Sequence, residues 1–181
     1  MPTLPPDALV LSGTLGAGKT AIAEAVSDAL ALDVPDALLD LDALAQTKPR
    51  PAEDPYNDDL VFANLAAIWP NYTARGVRRA VIARVVSDSH RDRYIAALKT
   101  QRIAIVRLIA PSELRKQRLR ARELDPVWSA YFCRRTDALA QALEHVPVDF
   151  VLDNVRAPAD VAADVLHLVH WPTCDPPRAT P

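Results

Sequence analysis

Eight consecutive residues, Gly13-Thr14-Leu15-Gly16-Ala17-Gly18-Lys19-Thr20, have the types and spacing to do chemistry on a phosphate. They fit G-x-x-x-x-G-K-[ST] in full. Glycines in such a loop let successive N–H groups turn toward an anion, which bulkier residues would block. A helix starting at the end of the loop adds the positive end of its dipole. Lys19 supplies a full charge for the outer phosphates, and Thr20 a hydroxyl for Mg²⁺. Three of the chain's four glycines and one of its four lysines fall in these eight positions. A chance match is therefore rare, and the pattern points to the phosphates of a nucleotide, with Mg²⁺.

Further groups could take part. Asp40 and Asp42 are two apart, so on an extended strand they share a face. There they could accept a hydroxyl proton and hold water bound to Mg²⁺. As purely structural residues, Asp42 would cap a short helix from Ala43 to Gln46 and Asp40 would sit in a surface turn. Arg115, Arg118 and Arg122 line one face of a helix at i, i+3, i+7, with Arg120 turned away. That face would neutralise phosphate charge through Arg118 and Arg122 above all, or else be a solvated surface balanced by Glu113 and Glu123. Arg84 sits in an apolar strand, where an unpaired charge is costly. It needs a partner, Asp40 or Asp42, or an anionic substrate. His167, His170 and Cys174 are read as a helix end favoured by its dipole. Trp69, Tyr72, Trp128 and Tyr131 are assigned to core or lid packing, with stacking of one of them on a ring-bearing substrate as the alternative.

The elements that must position these groups alternate along the chain. Strands are expected over Asp7–Ser12, Asp36–Leu41, Arg79–Val86, Arg102–Ile109 and Asp149–Leu152. Helices are expected over Thr20–Ala31, Tyr56–Trp69, Asp88–Lys99 and Ser112–Glu123, then from Pro126 to about His145, and over Pro158–His170. The Tyr56–Trp69 helix would use Leu60, Ala63, Asn64 and Ala67 as one side, and Pro70 would stop or kink it. Ser112 is a natural N-cap. Lys48–Pro55 holds three prolines and is a loop. Five strands alternating with helices predict a parallel sheet covered on both faces. Residues 1–171 then form one domain, and 172–181 a proline-rich, flexible tail.

Composition narrows the function classes. The chain has 181 residues, 50% hydrophobic and 24% charged, an ordinary globular balance. No apolar run is long enough to span a bilayer, and Met1–Asp7 lacks the basic start of a signal peptide. Cys133 and Cys174 form no CxxC spacing, which fits a reducing, cytoplasmic setting. The net charge of −2 gives no reason to expect nucleic acid or membrane. Charge is unevenly spread: Arg75–Arg135 carries 16 basic and 5 acidic residues, the remainder 5 basic and 18 acidic. Oligomeric state is not fixed by any of these features.

No lysine is followed two positions on by Asp, so the guanine-reading [NT]KxD motif is absent. Three features together resemble the adenylate-kinase-like superfamily of P-loop phosphotransferases. They are GTLGAGKT after the first strand, Leu39-Asp40-Leu41-Asp42 ending the second, and Leu114-x3-Arg118-Leu119-x2-Arg122 after the fourth. Shikimate and gluconate kinases, adenylylsulfate kinase, chloramphenicol phosphotransferase and the tunicamycin-resistance protein are the members it is most similar to. The resemblance implies strand order 2-3-1-4-5, ATP with Mg²⁺ as donor, and a substrate-binding helical segment between strands two and three. It also implies a small lid after strand four, carrying Arg118 and Arg122. One departure stands out. Strand three has no terminal acid before Asp88, so the Mg²⁺ partner and the base must come from elsewhere, most simply Asp40 and Asp42. The expected activity is phosphoryl transfer from ATP to a small hydroxyl-bearing molecule. A nucleotide kinase and a non-catalytic or slowly hydrolysing nucleotide-binding module are the alternatives.

Overall fold

The structure is a computed structural model describing residues 4–31, 34–88 and 90–174. Five strands form one parallel sheet: β1 (Ala8–Ser12), β2 (Asp36–Asp40), β3 (Arg79–Ala83), β4 (Ile103–Ile109) and β5 (Phe150–Asp153). Their order is β2-β3-β1-β4-β5, as the resemblance implied. The helices are α1 (Lys19–Ala29), α2 (Asp58–Thr73), α3 (His90–Leu98), α4 (Ser112–Arg122), α5 (Pro126–Leu143) and α6 (Pro158–Leu168).

The strands are apolar on both sides because both sides are covered. Along β1, Ala8 and Val10 join a core with Val61, Phe62, Leu65 and Trp69 of α2 and with Tyr94, Ala97 and Leu98 of α3. Leu9 and Leu11 join the opposite core, with Ile22, Ala23 and Val26 of α1 and Val161, Val165 and Leu166 of α6. The alternation follows from the two-residue repeat of a strand. β1 is flanked by β3 and β4, with Leu11 opposite Ala83 and Ser12 opposite Arg107. Asp40 lies opposite Ala83. The carboxyl ends of β1, β2 and β3 thus meet at one edge, where open α/β sheets bind ligands.

Several sequence expectations are corrected. α2 buries Val61, Leu65 and Trp69, not the side through Leu60, Ala63, Asn64 and Ala67. Both sides carry apolar residues, and the larger side chains face the sheet. α2 also runs through Pro70 to Thr73. Proline there leaves one helical carbonyl without its donor, while Trp69 and Tyr72 pack on the core around it. β3 stops at Ala83, three residues short of Val86, so Arg84 lies beyond the strand and not inside it. Ser112 is not the N-cap of α4. It is the first helical residue, and its hydroxyl donates to Asp137 Oδ1 at 2.7 Å. Near the C-terminus, Trp171 is buried and donates from its indole to the Pro6 carbonyl at 2.8 Å, and Cys174 N–H bonds the Ala29 carbonyl. Most of the expected tail, residues 175–181, lies outside the described residues.

Candidate phosphate-transfer site

The loop Gly13–Gly18 leaves β1 and delivers Lys19 as the first residue of α1. Close approach requires glycine in this loop. Gly16, at φ +75°, would place a Cβ 2.5 Å from the Arg115 carbonyl oxygen of α4. Gly18, at φ +90°, would place one 2.3 Å from Asn154 Nδ2. Side chains from distant segments fix the rest. Thr14 Oγ1 donates to the Thr136 carbonyl at 2.9 Å, and the Thr136 hydroxyl donates to the Leu15 carbonyl at 2.7 Å. Asn154 Nδ2 donates to the Ala17 carbonyl at 2.7 Å. The cradle is therefore held from α5 and from the end of β5 before any ligand arrives.

Lys19 Nζ donates to the Thr14 carbonyl at 3.2 Å. Burial lowers its ammonium pKa below the usual value, against the opposing pull of Asp42 and Asp40. Thr20 Oγ1 donates to Asp40 Oδ2 at 2.9 Å. Asp40 Oδ1 accepts from Asp42 N–H at 3.0 Å, capping a 3-10 turn over Leu41–Ala45. The capping carboxylate is thus Asp40, where the structural alternative named Asp42. Mg²⁺ favours a few hard oxygens and keeps its own waters. A hydroxyl and a carboxylate side by side next to the loop, on exposed Thr20 and Asp40, fit that requirement.

Asp42 leaves its side chain 61% exposed and is met on one side only, by Arg84 Nη1 at 3.2 Å. Arg84 follows β3 directly and is 4% exposed. Its other amino group reaches Asp58 Oδ1 at 2.5 Å and the Tyr56 carbonyl at 3.2 Å. Asp58 also accepts from His90 Nε2 at 3.2 Å, while His90 Nδ1 accepts from Ser87 N–H. Burial raises the Asp58 carboxyl, but hydrogen bonds from His90 and Arg84 overcome it and hold the group at about 2. Where the resembled superfamily ends strand three with an acid, this chain places a buried cation shared by two carboxylates.

The arginines of α4 divide by role. Arg118 Nη1 reaches the Gly16 carbonyl at 3.4 Å and Nη2 the Asn154 carbonyl at 3.0 Å. Arg122 is exposed and adds positive potential at Lys19. Arg115, on the same face, is buried and committed to Asp137 at 2.7 Å, to Thr136 Oγ1 at 3.2 Å and to the Ala110 carbonyl. Arg120 is exposed. The structure thus brings Lys19, Thr20, Asp40, Asp42 and Arg118 to one edge of the sheet. Sequence reasoning missed Asp58, His90, Thr136 and Asn154. Asp58 was hidden in the acidic stretch Asp54–Asp59, whose other members are also engaged. Asp54 accepts from the Asp58 and Asp59 N–H groups, and Asp59 pairs with Arg93 at 2.7 Å.

No family model matches the chain, and no curated protein sequence does. Solved structures do. A sugar kinase from Janibacter sp. HTCC2649 superposes with a TM-score of 0.65 at 23% identity, over 92% of this chain and 96% of that one. A gluconokinase from Sinorhizobium meliloti 1021 gives 0.62 at 20% identity, over 93% and 94%. The tunicamycin resistance protein of Deinococcus radiodurans gives 0.63 at 18% identity, over 93% and 99%. The likeness is one of fold, which this chain shares with these proteins over more than nine-tenths of its length. Among the described residues no helix is long and apolar enough to cross a membrane.

Proposed function

We propose that this protein transfers the γ-phosphoryl group of ATP to a hydroxyl of a small molecule. The observation that carries the proposal is the complete phosphate loop with Thr20 on Asp40 and, two residues on, the exposed carboxylate of Asp42. Phosphoryl transfer asks a protein chiefly for positioning and for neutralisation of charge. Bound Mg²⁺ would supply part of that neutralisation, from a position held by Thr20 and Asp40. Lys19 would face the outer phosphates, its ammonium brought there by the start of α1. Arg118 would stand beside the loop, and Arg122 would add charge as the segment after β4 approaches. Asp42 would accept the proton of the attacking hydroxyl, the guanidinium of Arg84 fixing which way its carboxylate points.

ADP release, measured with ATP and Mg²⁺ against a panel of alcohols, sugars, antibiotics and nucleotides, tests this reading. Acceptor-dependent release that disappears in Lys19→Ala is the expected result. Loss of one oriented donor costs about 10²–10³ in rate, and loss of a full charge should cost at least that. Hydrolysis that ignores every acceptor would favour a nucleotide-binding module. Transfer to nucleotides alone would favour a nucleotide kinase.

A further inference from the structure

A cluster of exposed aromatic side chains lies between the segment before α2 and the first turns of α5. Arg135 Nη2 donates to the Tyr56 hydroxyl at 2.7 Å, and Nη1 to the Tyr131 hydroxyl at 2.6 Å. The guanidinium lies over both rings, 5.2 and 5.8 Å from their centres. Trp128 meets Tyr131 edge-on at 5.7 Å and stacks on Phe132 at 5.9 Å. Trp128 is 53% exposed, Tyr56 48% and Tyr131 37%. Contiguous aromatic surface of this kind, rimmed by polar groups, marks a binding site.

Its place in the fold says what binds. The Tyr56 carbonyl accepts from Arg84, the same guanidinium that holds Asp42. The backbone that carries the Tyr56 ring is therefore held by the same residue as the carboxylate assigned to the acceptor hydroxyl. Among the described residues no carboxylate forms an ion pair with Arg135. Two of its five N–H donors go to the two phenols, and around them the cluster presents ring surface. A flat ring can stack on that surface, a gain that an open polyol does not have.

We propose that Tyr56, Trp128, Tyr131 and Phe132, bridged by Arg135, form the acceptor subsite and select an alcohol that carries an aromatic ring. The bridge joins the segment between β2 and β3 to α5. This inference rests on the phosphotransfer reading of the neighbouring site.

Matched acceptors test it: phenyl against methyl β-glucoside, uridine against ribose, and a phenyl-substituted glycol against ethylene glycol. With ATP and Mg²⁺, kcat/KM should favour the ring-bearing member of at least one pair by about tenfold or more, the discrimination an apolar pocket can give. Trp128→Ala should bring that ratio close to one. Tyr56→Phe keeps the ring and removes the phenol that Arg135 holds, so it should raise the acceptor KM several-fold and leave the ATP KM unchanged. Equal kcat/KM in every pair would overturn the subsite while leaving the kinase reading standing. If ATP binds and no acceptor releases ADP, it is the phosphotransfer reading that fails. The subsite is then read by fluorescence quenching that is lost in Trp128→Phe, and equal quenching by ring-bearing and ring-free members overturns it. A dimer abolished by Trp128→Ala, with no ring preference, would likewise overturn it and assign the rings to a second copy of the chain.

Discussion

Arg84 and Asp58 stand 2.5 Å apart, closer than the 3.2 Å between Arg84 and Asp42. The buried cation is thus divided unequally. Asp58 takes the larger share, with His90 as its second donor, and Asp42 is oriented without being captured. The carboxylate proposed to receive the hydroxyl proton is thus fixed in direction by one ion pair while its side chain stays 61% exposed.

Asp58→Asn leaves Asp42 as the remaining carboxylate on Arg84. The expected result is a kcat reduced by about tenfold with unchanged ATP affinity, given that a positioned base contributes about 10²–10⁴ in rate. In an Asp42→Asn background the same change should cost little more, since residues that act as a unit are not additive. Steady-state kinetics on the four proteins of this cycle check both statements.

The same pair makes a prediction about acid. The Asp58 carboxyl is held at about 2, against 3.8 for the free group. A carboxylate whose folded pKa is depressed contributes stability above its unfolded pKa and loses it as pH falls through the folded value. The contribution should be about 2 kcal/mol near neutral pH and should disappear between about pH 4 and pH 2. Urea denaturation of wild type and Asp58→Asn should therefore give midpoints that differ at pH 6 and converge near pH 2. A gap that stays constant across this range would remove Asp58 from the acid response.

What the sequence made legible, and what it hid, follows from how local each signal is. The phosphate loop is written in eight adjacent residues, and the strands in short apolar runs, so both could be read directly. Asp40 was readable as the end of a strand, but Asp42, expected to share its face on an extended strand, lies in the 3-10 turn that Asp40 caps. Asp58, Thr136 and Asn154 were not readable, since each meets the site only through the packing of distant segments: Asn154 reaches Ala17 across 137 positions. The face of α2 was misread because Leu60, Ala63 and Ala67 offer a second apolar stripe. Only the volume between α2 and the sheet selects Val61, Leu65 and Trp69. Arg115 and Arg118 share a face by spacing, yet Asp137 claims the first and the loop receives the second.

The acidic pair near the loop should separate by metal dependence. Asp40→Asn weakens the contact with Thr20 and the proposed Mg²⁺ position, so it should raise the Mg²⁺ concentration needed for half-maximal rate by about tenfold, the low end of what altered metal surroundings cost. It should also loosen the 3-10 turn that Asp40 caps, by about 1 kcal/mol. Asp42→Asn should leave the Mg²⁺ requirement alone and lower kcat by about 10² or more. Mg²⁺ titrations of both variants at saturating ATP, together with their melting curves, make the comparison. Normal kcat and normal Mg²⁺ dependence in both would leave the pair with a structural role only.

The arginines of α4 provide a graded series on one helix. Arg118 bonds the Gly16 and Asn154 carbonyls, so Arg118→Ala removes both a charge beside the phosphates and a brace of the loop. It should lower kcat by about 10² and weaken ATP binding as well. Arg122 is exposed and forms no hydrogen bond to the loop among the described residues, so its charge is available to meet what develops during transfer. Interactions made only in the transition state lower kcat and kcat/KM together. Arg122→Ala should therefore reduce both by about 10² with little change in ATP affinity. Arg120→Ala, an exposed position turned from that face, should be nearly silent. Arg115→Ala should act on stability, by about 1–3 kcal/mol, because it strips buried hydrogen bonds from Thr136 and the Ala110 carbonyl. Nucleotide-binding titrations, turnover with a working acceptor and melting curves on the four variants separate these outcomes. Equal kinetic losses at Arg118, Arg120 and Arg122 would indicate a general field of positive charge and no directed lid.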